Sequence, residues 1–318
     1  MSNKNKSFLA VGSFVLIFGI LLALATVFDL QVSRILAAPK LREGQYFSTS
    51  FMSSLVEVTA MVPIWGAATF AACVLAVYFQ QKKGASGYLW LIFYGLAVFT
   101  GASLLKDMMK YLLQILGREQ LQEQPWVKAL TVFFGLTAAT LLLTLAGKWI
   151  RAHMAQMLPF ALAIICSCCC FLFIELIKNP VGRMRFRAMH LIGDYSYYTP
   201  WYRISGAREQ LSGMGMDRDF FKSFPSGHTF CGSMSYLLIL LPDLFPSLQT
   251  RKWRLLSYAV PIAYTGFVAF FRVAGGAHFF SDVLVAGTMG FLAVQLFRYI
   301  FLYKLRDKLE QAARRAAA

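Results

Sequence analysis

Long apolar blocks dominate this chain and leave few folds open to it. Each of eight blocks approaches or reaches the roughly 20 residues that a helix needs to cross a bilayer. Charged residues make up only 14% of the chain and hydrophobic residues 58%, whereas a soluble domain carries roughly a quarter charged residues. The predicted spans are about 8–28, 56–80, 88–106, 128–147, 157–177, 229–243, 256–272 and 280–303. We therefore predict an all-α fold, a polytopic transmembrane helical bundle of about eight spans.

The blocks indicate one integral membrane domain over 1–318, because no low-complexity linker divides them. The first block follows a basic start, as in a signal peptide, but it is longer than a usual signal core, so we expect an uncleaved helix. The basic tail 304–318 is either a helical extension near anionic lipid or a solubilising end.

The net charge of +16 at first suggests a nucleic-acid partner. Many of the Lys and Arg residues, however, lie in short connections between apolar blocks, as the positive-inside rule predicts for a membrane protein. We therefore expect the bilayer as partner, no nucleic acid, and both termini in the cytoplasm. The long loop 178–222 then faces the extracytoplasmic side, and its Tyr and Trp residues favour the headgroup level.

The chain has six Cys, but no His or acidic residue lies at metal-ligand spacing from the cluster at 166–170, so we predict packing residues and neither metal nor cofactor.

The first of three polar patches is Lys178–Arg187, "KNPVGRMRFR", where the fifth block ends. It holds four cations: Lys178, Arg183, Arg185 and Arg187. A helix C-terminus would account for one or two of them. Arg suits forked contacts with phosphate oxygens, so the patch predicts an anion site. Glu175 precedes Lys178 by three residues and either pairs with it or is an interfacial acid.

The second patch, "PSGH" at 225–228, predicts a turn followed by a helix that starts at His228. The free N–H groups of a helix start suit an anion, and Gly227 lets the backbone approach a ligand closely. Taken alone, His228 could equally be a capping or interfacial residue.

The third patch, Phe271–Val283, holds Arg272, a Gly275-Gly276 corner, His278 and Asp282. On a helix, the spacing of four places His278 and Asp282 on one face, where the carboxylate can orient the imidazole. An ordinary polar pair is the alternative, but ionisable residues at membrane depth are functional by default.

Together the patches supply cations, two His and a carboxylate, which suit phosphoryl transfer without an obligatory metal. Cations neutralise the phosphoryl oxygens, one His can attack phosphorus, and the other can protonate the leaving oxygen.

The three motifs resemble the type 2 phosphatidate phosphatase superfamily, which also contains the vanadium haloperoxidases. The family pattern is Lys, six residues, Arg-Pro; then Pro-Ser-Gly-His; then Ser-Arg, five residues, His, three residues, Asp. The spacings are kept in this chain over about 178–282. Phe186 replaces the proline and Phe271 the serine of that pattern. The resemblance implies a six-helix phosphatase core within 128–303, and part of the N-terminal helices in 1–127 would be additions.

The resemblance also implies a role for each matching residue. His278 would be the nucleophile that becomes phosphohistidine, Asp282 would orient it, and His228 would be the acid for the leaving group. Five residues would hold the phosphate: Lys178, Arg185, Arg272, Ser226 and Gly227. Three further residues are expected around them: Glu175, Arg183 and Arg187.

These features predict a membrane lipid phosphatase that acts on a polyprenyl diphosphate, phosphatidate or phosphatidylglycerol phosphate at the extracytoplasmic face, in a bacterial plasma membrane. A lipid phosphotransferase with the same residues, or a lipid or anion transporter, stays open as an alternative. A haloperoxidase is disfavoured because it would not need eight apolar spans. A phosphate-binding protein without activity is disfavoured by the complete set of motif residues. The oligomeric state is left open.

Overall fold

The structure is a computed structural model that describes residues 3–41, 46, 51–211, 213 and 215–317. Throughout these ranges the regular structure is helical and no strand occurs, so the predicted all-α class is confirmed. Most helices are α-helices: α1 Asn3–Leu36, α2 Phe51–Ala60, α3 Val62–Gln80, α4 Leu89–Ile115, α5 Pro125–Ala152, α6 Met154–Cys169, α7 Phe171–Val181, α8 Phe186–Ile192, α9 Ala207–Gln210, α10 Gly227–Ser233, α11 Leu241–Leu244, α12 Arg251–Ala274, α13 Phe280–Arg298 and α14 Arg306–Ala317. Short 3₁₀ segments lie at Ala38–Lys40, Ala85–Tyr88, Glu119–Glu123, Arg218–Phe221, Met234–Leu240 and Pro246–Leu248, and Tyr299–Lys304 is a π-helix.

Within the described residues, seven helical segments are long and apolar enough to cross a bilayer. They are Val11–Lys40, Phe51–Gln80, Ala85–Ile115, Pro125–Ala152, Met154–Ile192, Arg251–Ala274 and Phe280–Lys304. The chain is therefore an integral membrane protein with a polytopic helical bundle. The number of long helices is one fewer than the eight spans predicted, and the predicted span 229–243 is the one without a counterpart.

The segment 227–244 differs from the seven long helical segments because its middle is a 3₁₀ helix. Seven α-helical residues, seven 3₁₀ residues and four α-helical residues follow one another. The linking residues Ser233 and Leu240 keep right-handed helical dihedral angles. A 3₁₀ residue advances about 2.0 Å and an α-helical residue about 1.5 Å, so the segment is roughly 30 Å long. It therefore matches the thickness of a bilayer core with fewer residues than a regular span.

The chain divides into two compact units, each built from three separate stretches. Unit 1 comprises Met1–Ser50, Glu175–Ser226 and Ala269–Ala286, and unit 2 comprises Phe51–Ile174, Gly227–Val268 and Gly287–Ala318. The prediction of a single membrane domain with a core at 128–303 stays a prediction.

Unit 1 is held together by an apolar cluster that lies next to the motif residues in sequence. Its buried members are Ala37, Leu41, Met184, Phe186, Ala188, Met189, Ala207, Leu211, Phe221 and Phe279. Each large side chain of this kind contributes about 1.5–3 kcal/mol when it is buried. Because Phe186 follows Arg185 and Phe279 follows His278, burial of the two rings anchors the backbone of both motifs.

The Tyr and Trp residues of the loop 178–222 pack partly against other residues of unit 1. Trp201 Nε1 donates a hydrogen bond to Thr26 Oγ1 of α1 at 2.9 Å. The rings of Tyr198 and Phe279 lie 5.3 Å apart, edge to face. At least these two loop aromatics therefore have packing partners within the protein, in addition to any contact with headgroups.

Unit 2 is a bundle in which α3 packs against α4, α5 and α6. Small residues of α3 such as Ala71, Ala72 and Ala76 are fully buried, which lets neighbouring helices approach closely, as is usual in membranes. The basic tail forms α14, which packs against α6 and buries Ala313. The tail is therefore helical, whereas its place near anionic lipid stays a prediction.

The crossing of α4 and α5 depends on Gly135. A Cβ atom at this position would lie 2.3 Å from the Val98 carbonyl oxygen and 2.6 Å from the Ala102 nitrogen. These are backbone atoms of α4, so the helices themselves would have to separate. We expect Gly135→Ala to lower the free energy of unfolding by about 1–3 kcal/mol, as overpacking does elsewhere. Thermal unfolding in detergent measures the loss.

Gly147→Ala is the matched control for this change, because Gly147 lies on the same helix and no atom lies within 4 Å of its added Cβ. Its melting temperature should stay the same or rise, since Ala favours the helix. Equal melting temperatures for the two variants would contradict the close α4–α5 contact.

Candidate active site

His278 lies in the corner between α12 and α13. The backbone N–H groups of Ala277 and His278 donate to the Arg272 carbonyl oxygen at 3.2 and 3.3 Å. Gly276 has φ +65°, a left-handed conformation that favours glycine. Its carbonyl oxygen accepts a hydrogen bond from the Arg187 N–H at 2.8 Å. The corner therefore fixes the backbone at His278, whose side chain is almost completely buried.

The nearest partner of the His278 ring is a backbone carbonyl. Nδ1 lies 2.5 Å from the Ser223 oxygen and 3.8 Å from Asp282 Oδ2. A carbonyl oxygen only accepts, so Nδ1 carries the hydrogen. The Nε2 atom of the neutral ring then keeps its lone pair, which is what a nucleophile needs.

Asp282 supports this arrangement through Ser223. Asp282 Oδ2 accepts hydrogen bonds from Ser223 Oγ at 2.5 Å and from the Phe279 N–H at 2.8 Å. The expectation that His278 and Asp282 share one helix face is wrong, because α13 begins at Phe280 and His278 precedes it. The carboxylate instead caps the start of α13 and holds the residue whose carbonyl contacts the imidazole.

Asp282 also forms part of a buried ionic network. Its Oδ1 accepts a hydrogen bond from Arg183 Nη1 at 2.5 Å, and Arg183 Nη2 donates to Asp29 Oδ2 at 2.9 Å. Asp29 Oδ1 accepts from the Ser281 N–H at 2.8 Å, and the Ser281 hydroxyl donates to Asp29 as well. The side chains of Asp29, Arg183 and Asp282 are completely buried. Arg183 therefore bridges two carboxylates instead of lying at the rim of the site.

Sequence reasoning missed Asp29, although a signal was present. Asp29 is an acidic residue in the apolar block of α1, and such residues in a membrane span are functional by default. Its partner Ser281 is 252 positions away, so no local spacing could have indicated the pair.

Three cations act on His278. Burial, followed by the positive charges of Arg185, Arg272 and Lys178, holds the pKa of His278 well below its ordinary value, while the Ser223 carbonyl raises it. The imidazole is therefore neutral at physiological pH. The three cations assigned to phosphate by the resemblance thus all act electrostatically on His278.

Asp219 is a second acidic residue that the sequence did not reveal. It accepts from Arg185 Nη2 at 2.9 Å, from Arg187 Nη2 at 3.4 Å and from Tyr46 Oη at 3.0 Å. Burial raises the pKa of this carboxyl, but Arg185 and Arg187, the Tyr46 hydrogen bond and the charge of Arg272 outweigh it, and the pKa falls below its usual range. These guanidinium groups therefore already stabilise one anion.

The remaining predicted site residues of unit 1 include Lys178, Glu175 and Ser226. Lys178 is mostly buried and donates to the Glu175 carboxylate, so Glu175 takes the first of its two expected roles, the pairing with Lys178. The Ser226 N–H donates to the Asp282 carbonyl oxygen at 3.2 Å. Unit 1 therefore brings together the predicted nucleophile, its carboxylate, the cations and Ser226.

Gly227 and His228 belong to unit 2, where α10 begins at Gly227, within one residue of the predicted start. Tyr111 of α4 lies against His228: Tyr111 Oη is 2.6 Å from His228 Nε2, and the two rings meet edge to face at 5.3 Å. Both side chains are half-buried. Sequence reasoning gave no indication of Tyr111, which is 117 positions from its partner.

The comparisons with known proteins agree with the motifs. Residues 156–306 match the profile of the PAP2 superfamily, the type 2 phosphatidate phosphatase group. No curated protein and no solved structure matches the chain. The matched region contains all three motifs, whereas Asp29 and Tyr111 lie outside it. Residues 156–306, just under half of the chain, are therefore similar to the PAP2 superfamily.

Proposed function

We propose that this protein is a membrane lipid phosphatase that works through a phosphohistidine at His278. The observation that carries the proposal is the buried imidazole of His278, whose Nδ1 faces the Ser223 carbonyl oxygen at 2.5 Å, so that Nε2 keeps its lone pair. Burial and the charges of Arg185, Arg272 and Lys178 lower the pKa of this imidazole. A neutral imidazole is nucleophilic, and the cations neutralise the charge of a phosphoryl group. The match of residues 156–306 to the PAP2 superfamily and the apolar helices support the same conclusion.

In the first step, the Nε2 lone pair of His278 attacks phosphorus and the bond to the leaving oxygen breaks. His228, as imidazolium, gives its proton to that oxygen, so the lipid leaves as an alcohol or, from a diphosphate, as a monophosphate. The Nδ1–H bond to the Ser223 carbonyl stabilises the positive charge that develops on His278. We assign the phosphoryl oxygens to Lys178, Arg185 and Arg272, with donors from Ser226 and Gly227.

In the second step, water attacks phosphorus and His228 takes its proton. The bond from phosphorus to His278 Nε2 breaks, inorganic phosphate leaves, and both histidines return to their starting protonation states. Phosphate transfer to another lipid or sugar hydroxyl would use the same first step, so only the acceptor distinguishes a phosphotransferase.

The substrate is expected to be a lipid because the motifs lie at the ends of membrane helices. Lys178 lies in the last turn of α7, Arg272 lies in the last turn of α12, and Asp282 lies in the first turn of α13. A lipid keeps its chains in the bilayer and offers its phosphate at this level. With 227–244 counted as a crossing, both termini face the cytoplasm and the motifs face the extracytoplasmic side, as the distribution of cations favours.

Phosphate release tests this proposal. Purified protein in detergent is given polyprenyl diphosphate, phosphatidate, phosphatidylglycerol phosphate or lysophosphatidate, each with and without EDTA. We expect release from at least one of them, unchanged by EDTA, because the cations of the protein do the work that a metal ion would do. Inhibition by EDTA that Mg²⁺ reverses would contradict the mechanism. No release from any lipid, combined with counterflow of labelled lipid, would favour a transporter.

A further inference from the structure

The two histidines of the motifs have partners of different chemical kinds. His278 Nδ1 faces the Ser223 carbonyl oxygen at 2.5 Å, which can only accept a hydrogen bond. His228 Nε2 faces the Tyr111 hydroxyl at 2.6 Å, which can both donate and accept. The carbonyl therefore fixes one tautomer of His278, whereas the hydroxyl keeps its bond to His228 Nε2 whether or not that nitrogen carries a hydrogen.

This difference matches the work proposed for each ring. The nucleophile needs one constant tautomer with a free lone pair on Nε2. The acid–base residue gives up and regains its proton at Nδ1, the nitrogen that does not face Tyr111, and must keep its orientation in both protonation states. A carboxylate partner would hold His228 in the charged form and make it a weaker acid. A phenol carries no charge at neutral pH and therefore does not hold His228 in its charged form.

We propose that Tyr111 is the positioning residue of His228, which holds the imidazole in line with the leaving oxygen through both proton transfers. The assignment rests on the proposed function of His228. Tyr111 lies on α4 and outside the region 156–306 that matches the superfamily. A helix of the N-terminal part of the chain thus contributes to the chemistry, in addition to its role in packing.

The kinetic test compares Tyr111→Phe with wild type on two phosphate monoesters. One has an alkyl leaving group, as in a lipid phosphate, and the other has a p-nitrophenyl leaving group, which leaves without help from an acid. The ratio kcat/KM covers only the steps up to leaving-group departure. We expect it to fall roughly ten- to a hundredfold for the alkyl ester, the size typical of a misplaced catalytic group, and to change little for the aryl ester.

Tyr94→Phe is the matched control. Tyr94 lies on the same helix, and its hydroxyl forms a hydrogen bond with Thr140 Oγ1 at 2.8 Å. It should leave both ratios unchanged. An equal loss of kcat/KM on both esters in Tyr111→Phe would mean that the hydroxyl serves only stability, and it would overturn the assignment.

A second readout does not depend on activity. Diethylpyrocarbonate acylates neutral imidazole nitrogens, and mass spectrometry follows His228 separately from the other histidines. We expect several-fold faster modification of His228 in Tyr111→Phe than in wild type and no change in Tyr94→Phe. An unchanged rate would overturn the pairing even in an active protein. If wild type hydrolyses no lipid while the rate at His228 still rises, the phosphatase proposal fails and the pairing stands.

Discussion

Replacement of His278 by alanine is expected to abolish phosphate release, with a loss of roughly a thousandfold or more, as for other nucleophiles. The reason is chemical, since no other group in the described part of the chain is proposed to attack phosphorus. The corner between α12 and α13 should survive the change, because it is held by backbone bonds to the Arg272 carbonyl oxygen and by Gly276. Phosphate release from the best lipid substrate measures the effect.

The matched control for this change is His190→Ala. His190 lies on α8 in the same unit, and its Nδ1 forms a hydrogen bond with Tyr195 Oη at 2.7 Å. It has no role in the proposed reaction, so activity should stay close to that of wild type. Comparable activity of His278→Ala and His190→Ala would rule out His278 as the nucleophile.

Replacement of Arg183 by methionine is expected to destabilise the protein strongly. Asp29 and Asp282 are completely buried, and Arg183 donates hydrogen bonds to both. Without the guanidinium, two carboxylates share a buried site with no cation between them. Removal of one partner from a buried ion pair costs about 3–5 kcal/mol in the free energy of unfolding. Thermal or denaturant unfolding in detergent measures the loss.

A second substitution, Asp29→Asn, tests the same network, because it should change the stability in opposite directions in the wild-type and Arg183→Met backgrounds. Asp29→Asn alone should destabilise the protein, because Arg183 loses a charged partner. In the Arg183→Met background the same change should restore part of the stability, since it removes one of the two unpaired carboxylates while the asparagine side chain can still accept from the Ser281 N–H. A double variant less stable than Arg183→Met would contradict the network.

The sequence could predict those parts of the site whose residues lie close together along the chain. The cations of Lys178–Arg187 and the pair His278 and Asp282 lie within short stretches, so their order alone indicates an anion site. The finer geometry was not predictable, because the start of α13 at Phe280 decides which atoms meet. The imidazole thus contacts the Ser223 carbonyl more closely than the Asp282 carboxylate.

The missed residues are those that folding brings in from far along the chain. Asp29 reaches Ser281, and Tyr111 reaches His228, across more than a hundred positions in each case. Hydropathy located the long spans well, because burial in a bilayer requires a continuous apolar run. The segment 227–244 did not become a long α-helix, because a 3₁₀ stretch at Met234–Leu240 interrupts it.

Trapping of the covalent intermediate tests the central claim most directly. Protein given ³²P-labelled lipid phosphate is quenched with alkali after a short time, and the labelled peptide is identified. We predict a label on His278 that is stable in base and lost in acid, as expected for a phosphoramidate, and that is absent from His278→Ala. Phosphate release without such a label, or a label that persists in His278→Ala, would contradict the account.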